Sequence, residues 1–303
     1  MTSAKATVPT PKLPLFAGLQ TLRLLGRGMA GEVFETRDPQ TGKRYVVKRF
    51  RPQVARSLDL VRFLREAELM RRLRHPNLML VLHVEAATPP YYVMPFREGV
   101  TLADRLRQGR ISVSVAVRAA RDACAGLAEA HRARIIHRDV KPANLFLEAS
   151  GRTVLLDFGL AKDMTGKEAL TAEGALLGTP AYMAPEQCRG EPTSSATDVY
   201  SLGVSFFELV LGKNPFATSD VVESLRRQLE EMPRRLDALV PARVRPELGE
   251  LVHRMIAKNP AHRPSLATCL EAFDELGRRY ESDARQATRC SARPDIAPVF
   301  PES

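Results

Sequence analysis

Apolar and polar positions alternate with a period of two in Leu19 to Leu25, Glu32 to Thr36 and Tyr45 to Phe50. That alternation predicts three strands, the third reinforced by the β-branched Val46 and Val47. Asp38-Pro39-Gln40-Thr41-Gly42 supplies turn residues between the last two. From Ser57 to Leu73 the period changes. Leu60, Val61, Leu64, Ala67, Met70 and Leu73 form the stripe of an amphipathic helix, which His75-Pro76-Asn77 ends. Leu78 to Val84 and Tyr91 to Phe96 read as two more strands around Thr88-Pro89-Pro90. Beyond residue 97 helical periodicity dominates, over Leu102 to Gln108, Val113 to Arg134, Ala196 to Leu211, Ser219 to Glu230, Pro246 to Lys258 and Ser265 to Tyr280. The predicted chain is α+β. A small five-stranded, one-helix unit (19–96) precedes a larger, mainly helical unit (97–280). Residues 1–18, with Pro9, Pro11 and Pro14, read as a flexible N-terminal tail, and 281–303 as a C-terminal tail.

The chain has 303 residues, 44% hydrophobic and 26% charged, as expected of a soluble globular protein. No stretch approaches the roughly 20 apolar residues of a membrane span, and MTSAKATVPTPKLPLF has no apolar core for a secretory signal. Cys124, Cys188, Cys269 and Cys290 lie far apart, which fits free thiols in a reducing compartment rather than a zinc site or disulfide scaffold. A cytoplasmic location is the expectation. The net charge of +10 comes with Arg pairs scattered along predicted helices and no Trp. That pattern reads as solvated helix faces and argues against a nucleic-acid partner.

Three segments carry chemistry. Gly26-Arg27-Gly28-Met29-Ala30-Gly31-Glu32-Val33 is a glycine-rich turn, where missing Cβ atoms let backbone approach phosphates. A dinucleotide site of this spacing wants a helix straight after it. Here a strand follows, so the turn reads as a hairpin lid over a nucleotide. Lys48 lies on the third predicted strand, and Glu66 borders the inward stripe of the predicted helix, which favours it over Glu68 as the partner of Lys48. His137-Arg138-Asp139-Val140-Lys141-Pro142-Ala143-Asn144 is followed at short range by Asp157-Phe158-Gly159. A carboxylate can orient a hydroxyl and accept its proton, and a neighbouring Lys can neutralise a moving phosphoryl group. An Asn oxygen and a second carboxylate offer hard ligands to Mg²⁺.

On these residues the sequence resembles the eukaryotic-type (Hanks-type) protein kinases, most like the bacterial serine/threonine protein kinases, from about Leu19 to Tyr280. The resemblance implies a bilobal fold with ATP in the cleft and Mg²⁺ as its metal. It implies that Leu25, Gly26, Gly28, Gly31, Val33, Val46, Met94, Pro95, Arg97 and Phe146 surround the nucleotide. Lys48, paired with Glu66, would hold the α/β-phosphates. Asp139 would be the catalytic base, Lys141 would meet the γ-phosphate, and Asn144 and Asp157 would hold Mg²⁺. Gly178 to Glu186 looks like the substrate-docking segment, with Thr179 near Asp139 and Lys141, and Glu186 paired with Arg263. Asp198 to Gly203 looks like the buried helix that anchors the catalytic loop, and Met70, Val81, His137 and Phe158 like an internal column. Lys141 and Thr179 imply a Ser or Thr acceptor on protein substrates. Arg138 implies a phosphate on the activation segment, with Thr171 favoured over Thr165 as the autophosphorylated residue.

Two features depart from the family. Val46 stands where Ala is usual, which tightens the adenine ceiling. Pro95 stands in the hinge where an acid is common, but it keeps its C=O and Arg97 keeps its N–H, so adenine recognition is retained. Thr101 and Ala143 replace acids found in kinases that prefer basic substrates. The competing readings are an ATP-binding pseudokinase or scaffold that needs a partner, a small-molecule kinase, and a nucleic-acid-binding protein. The first should have lost Lys48, Asp139 or Asp157, and the second lacks the Gly178 to Glu186 segment. The third rests on charge alone. The resemblance also leaves room for a homodimer.

Overall fold

Strand alternation and the one strong amphipathic stripe shape the first part of the chain. The computed structural model describes residues 16, 18–27, 31–50, 57–86, 88–158 and 180–291, without the side chains at 57–59, 62, 66 and 287–291. The chain divides into two compact units between Glu98 and Gly99.

The first unit is a five-stranded antiparallel sheet with one helix. Its strands are β1 (Gln20–Arg27), β2 (Gly31–Arg37), β3 (Arg44–Phe50), β4 (His83–Glu85) and β5 (Tyr91–Pro95), in the order β1-β2-β3-β5-β4. Helix α1 (Ser57–Arg72) lies between β3 and β4 in sequence. Its Phe63 packs on Phe50 and Tyr92, with ring centroids 5.4 and 5.2 Å apart. Strand β4 is shorter and later than the run Leu78 to Val84 suggests. Met79 and Val81 are buried from a loop, so their apolar character reflects core packing rather than strand pairing.

Directly paired residues share a face of a sheet. One face carries Phe34, Val47, Tyr91 and Val93, and Phe16 closes it, itself only 2% exposed. The Phe16 ring sits 5.4 Å from Phe34 and 5.1 Å from Tyr91. The flexible tail expected for residues 1–18 is thus pinned at Phe16, whose backbone also bridges to Leu19. Phe16→Ala is expected to cost about 3–5 kcal/mol, read as a lower urea midpoint, with Phe16→Leu retaining most of the stability. An unchanged midpoint would mean that the ring does not fill this core in solution.

The second unit is mainly helical: α2 (Leu102–Arg107), α3 (Val113–Arg132), α4 (Pro185–Arg189), α5 (Ser195–Leu211), α6 (Val221–Glu230), α7 (Leu236–Leu239), α8 (Pro246–Met255) and α9 (Leu266–Ser291). Thr101 caps α2 by accepting the Asp104 N–H at 3.0 Å. Helix α5 is buried along nearly its whole length and ends at Gly212, whose φ of 78° is left-handed. Helices α3 and α9 pack along one another, and α3 also packs on α5. Three short strands, β6 (Gly99–Thr101), β7 (Leu145–Glu148) and β8 (Thr153–Leu155), form a second antiparallel sheet. Residues 281–291, expected in the C-terminal tail, continue α9, where Asp283 accepts a bond from Arg245 at 2.7 Å. Among the described residues no helix is long and apolar enough to cross a membrane. Cys124, Cys188 and Cys269 are free thiols, and the Cys290 side chain lies outside the described residues.

Candidate active site

The glycine-rich turn is a hairpin. Gly26 pairs with Val33 and Arg27 with Glu32, so a strand and not a helix follows it, as the sequence predicts. Leu25 falls at a register shift in β1 and is 42% exposed. A Cβ on Gly31 would stand 2.8 Å from the Arg49 carbonyl oxygen, whereas one on Gly26 would meet nothing within 4 Å. Glycine at 31 is therefore demanded by the approach of β3, and glycine at 26 is not demanded by packing. Gly28 lies outside the described residues.

The register brings the remaining predicted residues of this unit together. Val33 pairs with Lys48, Lys48 with Tyr92, and Val46 with Met94. Val33, Val46, Lys48 and Met94 thus share the face opposite Phe16. The Lys48 Nζ lies 5.7 Å from the centre of the Tyr92 ring. Pro95 ends β5 opposite Tyr45, and Arg97 follows in the segment leading out of the sheet. Glu66 is on α1, but its side chain lies outside the described residues, and with it the Lys48–Glu66 pair.

In the second unit a buried carboxylate organises the loop around Asp139. Asp198, on the first turn of α5 and fully buried, accepts the backbone N–H groups of His137 and Arg138, both at 2.8 Å. His131 Nε2 donates to the same carboxylate at 2.7 Å. These bonds hold Arg138 at φ 66°, a left-handed conformation costly for a side chain with a Cβ. His137 is locked as a neutral tautomer. Its Nδ1 accepts the Asp139 N–H at 3.2 Å, so Nε2 carries the proton and donates to the Leu156 carbonyl at 2.8 Å. Burial pushes its pKa below the usual imidazole value, against the pull of the neighbouring carboxylates. The His137 ring packs on Phe158, 4.6 Å between centroids. Met70 and Val81 are buried within the first unit.

The loop gathers its polar groups tightly. Lys141 Nζ is 2.9 Å from an Asp139 carboxylate oxygen. Asn144 donates through Nδ2 to the Asp139 carbonyl at 2.8 Å and to its carboxylate at 3.1 Å. With its NH₂ engaged on Asp139, the Asn144 side chain presents its oxygen elsewhere, as a metal ligand must. Asp157 follows β8 with φ 34°, a second left-handed backbone position in this loop pair. Phe146, on β7, pairs with Thr101 and Val154. Among the described residues no three His, Cys, Asp or Glu side chains cluster as a metal cage. An Asn oxygen and one carboxylate instead suit a hard cation that also binds phosphate oxygens.

Glu186 and Arg263 form a bidentate pair at 2.7 and 2.8 Å, with side chains 3% and 0% exposed. Burial pushes the Glu186 carboxyl up, but Arg263, a backbone N–H and the Thr197 hydroxyl together outweigh it and hold the group below its ordinary value. Thr197 adds a hydroxyl donor at 2.8 Å. Arg138 donates through Nε to Thr193 at 2.9 Å. Thr165, Thr171 and Thr179 lie outside the described residues. Sequence reasoning missed His131 and Gln187. Gln187 donates to the Arg138 carbonyl at 3.1 Å and accepts the Ala184 N–H at 3.0 Å, tying α4 to the loop. The signal for His131 was its place six residues before His137, at the end of a helix otherwise rich in small residues.

Known sequences resemble this chain over most of its length. The family described as "Protein kinase domain" matches residues 19–273. The serine/threonine-protein kinase PknB of Mycolicibacterium smegmatis is 36% identical over 279 residues, covering 88% of this chain and 43% of its own length. PkaA of Streptomyces coelicolor is 36% identical over 259 residues, covering 80% and 46%. The Myxococcus xanthus kinase pkn3 is 34% identical over 289 residues, covering 89% and 52%. The chain thus spans about half the length of these relatives.

Proposed function

The chain belongs to the protein kinase family, and from that premise we propose that it is an active serine/threonine protein kinase. It transfers the γ-phosphoryl group of Mg-ATP to Ser and Thr hydroxyls of protein substrates. ATP and a divalent metal follow from the family, and Mg²⁺ is the hard cation that an Asn oxygen and a carboxylate suit. The observation that carries the reading is that Lys141 and Asn144 both lie within hydrogen-bonding distance of Asp139.

Each residue has a task in that transfer. The glycine hairpin, with Leu25, Gly26, Gly28, Gly31 and Val33, covers the nucleotide, and Val46, Met94, Pro95, Arg97 and Phe146 frame its base. Lys48, oriented by Glu66, neutralises the α/β-phosphates. Asp139 accepts the acceptor hydroxyl's proton as its oxygen attacks the γ-phosphorus and the bond to the β-phosphate oxygen breaks. Lys141, beside Asp139, follows the charge on the moving phosphoryl. Asn144 and Asp157 would hold the metal, which would neutralise charge on the phosphate oxygens. Thr179 and the segment ending at Glu186 place the acceptor. Arg138 receives the phosphate of Thr171 and orders the activation segment. The reading places the protein in the cytoplasm, leaves room for a homodimer and gives nucleic acid no part in the reaction.

Incubation with Mg-ATP and peptides differing only in a Ser, Thr or Tyr acceptor tests this. Label is expected on the Ser and Thr peptides alone, and phosphopeptide mapping should find Thr171 modified. Label on Tyr would overturn the acceptor assignment, and an active enzyme bare at Thr171 would overturn the role given to Arg138.

A further inference from the structure

A buried polar relay, separate from the Asp139 loop, runs from Lys258, in the segment after α8, through α5 and α6 to the turn Pro180–Tyr182. Gln228 on α6 is completely buried. Its Nε2 donates to the Ala181 carbonyl at 2.5 Å and reaches the Pro180 carbonyl at 3.5 Å. The orientation of that amide is fixed from behind. The Tyr200 hydroxyl donates to Gln228 Oε1 at 2.5 Å, so Oε1 cannot face the turn. Lys258 in turn donates to the Tyr200 hydroxyl at 2.9 Å and to the Gln228 carbonyl at 2.8 Å. The Lys258 ammonium can only donate, and the single Tyr200 hydroxyl proton goes to Gln228, so the chain runs in one direction, Lys258 to Tyr200 to Gln228 to Ala181. Asn214 adds a second donor to the Ala181 carbonyl at 3.1 Å.

A buried glutamine must satisfy both ends of its amide, and here Tyr200 satisfies one end and the turn carbonyls the other. What the amide adds is a fixed position for the backbone of residues 180 and 181, immediately after Thr179.

We propose that Gln228 is a positioning residue for the protein acceptor: through Ala181 it sets the backbone against which the acceptor segment docks. The inference rests on the kinase reading and on its assignment of residues 178–186 to acceptor docking. It assigns α6, outside every sequence motif of the site, a part in substrate recognition. Gln228 touches neither ATP nor the transferred phosphoryl, so its loss weakens acceptor binding and spares the chemical step.

The test is steady-state kinetics of the full chain with a Ser-containing acceptor peptide, comparing wild type with Gln228→Glu. That change preserves shape and the acceptor for Tyr200, and once its carboxyl is ionised it removes the donor to Ala181, so the assay is repeated up to pH 9 to hold that form against the upward push of burial. The KM for peptide is expected to rise about ten-fold or more, as for loss of a buried hydrogen bond that leaves a carbonyl opposite a carboxylate. The KM for ATP and kcat are expected to stay within about three-fold of wild type. Tyr200→Phe, which keeps Gln228 but frees its amide to turn, should give the same split at smaller size. It serves as the test where Gln228→Glu does not accumulate as folded protein. An unchanged peptide KM in a folded variant, or a fall in kcat with both KM values held, would overturn the proposal. A wild type that transfers no phosphate to any peptide would overturn the kinase reading itself, and this inference with it.

Discussion

Asp139→Ala is expected to lower kcat by about 10²–10⁴-fold, or roughly 3–5 kcal/mol of barrier, while the protein remains folded and binds ATP. The carboxylate is held by Lys141 at 2.9 Å and by Asn144 at 3.1 Å, so it is positioned before any substrate arrives. Its removal leaves the Asp198 contacts to His137 and Arg138 in place, and the loss is therefore one of chemistry rather than of loop structure. Single-turnover transfer at saturating ATP measures it directly. A variant within about three-fold of wild type would show that another group takes the proton, or that proton removal lags behind phosphoryl transfer.

Arg263→Ala is expected to destabilise the second unit by about 3–5 kcal/mol, because it strands the buried Glu186 carboxylate. Arg263 also donates to the carbonyls of Ala257, Ala196 and Lys258, and those acceptors lose their partner as well. The double variant Glu186→Met, Arg263→Leu should recover part of that loss, since apolar residues of similar volume carry no unpaired charge. Denaturant midpoints compare the three proteins. Equal stability of wild type and Arg263→Ala would mean that water reaches Glu186. The pair also sets an acid limit. The Glu186 carboxyl titrates below its ordinary value in the folded protein. Its contribution is present above the unfolded value near 4.5 and is lost as pH falls through the lower folded one.

The catalytic segments were legible because their chemistry is local. Asp139, Lys141 and Asn144 fall within six residues, and the loop that binds them needs only that spacing. Val33, Val46, Lys48 and Met94 were singled out by the family resemblance, and it is the register of β2, β3 and β5 that places them on one face. Other features left no such trace. Strands β6, β7 and β8 have three or four residues each, too few for a period to show. Phe16 sits among prolines and looks like a tail residue, and only the tertiary fold supplies the aromatic face it fills. Residues 281–291 are polar, so nothing apolar marks the helix that α9 continues there. Gln228 is the clearest case. In Arg226-Arg227-Gln228-Leu229-Glu230 it reads as one more solvated position. Its only sequence signal was Ser224, four residues earlier on the same face, a second uncharged polar residue in a charged helix, and one that is also buried.

The most direct measurement of the central claim is the intact mass of the purified chain after incubation with Mg-ATP, beside Asp157→Asn treated identically. The account predicts mass steps of one phosphate each on the wild type and none on the variant, which loses the metal-binding carboxylate. A wild type that binds ATP and gains no mass, or a variant that gains as much as the wild type, would contradict it.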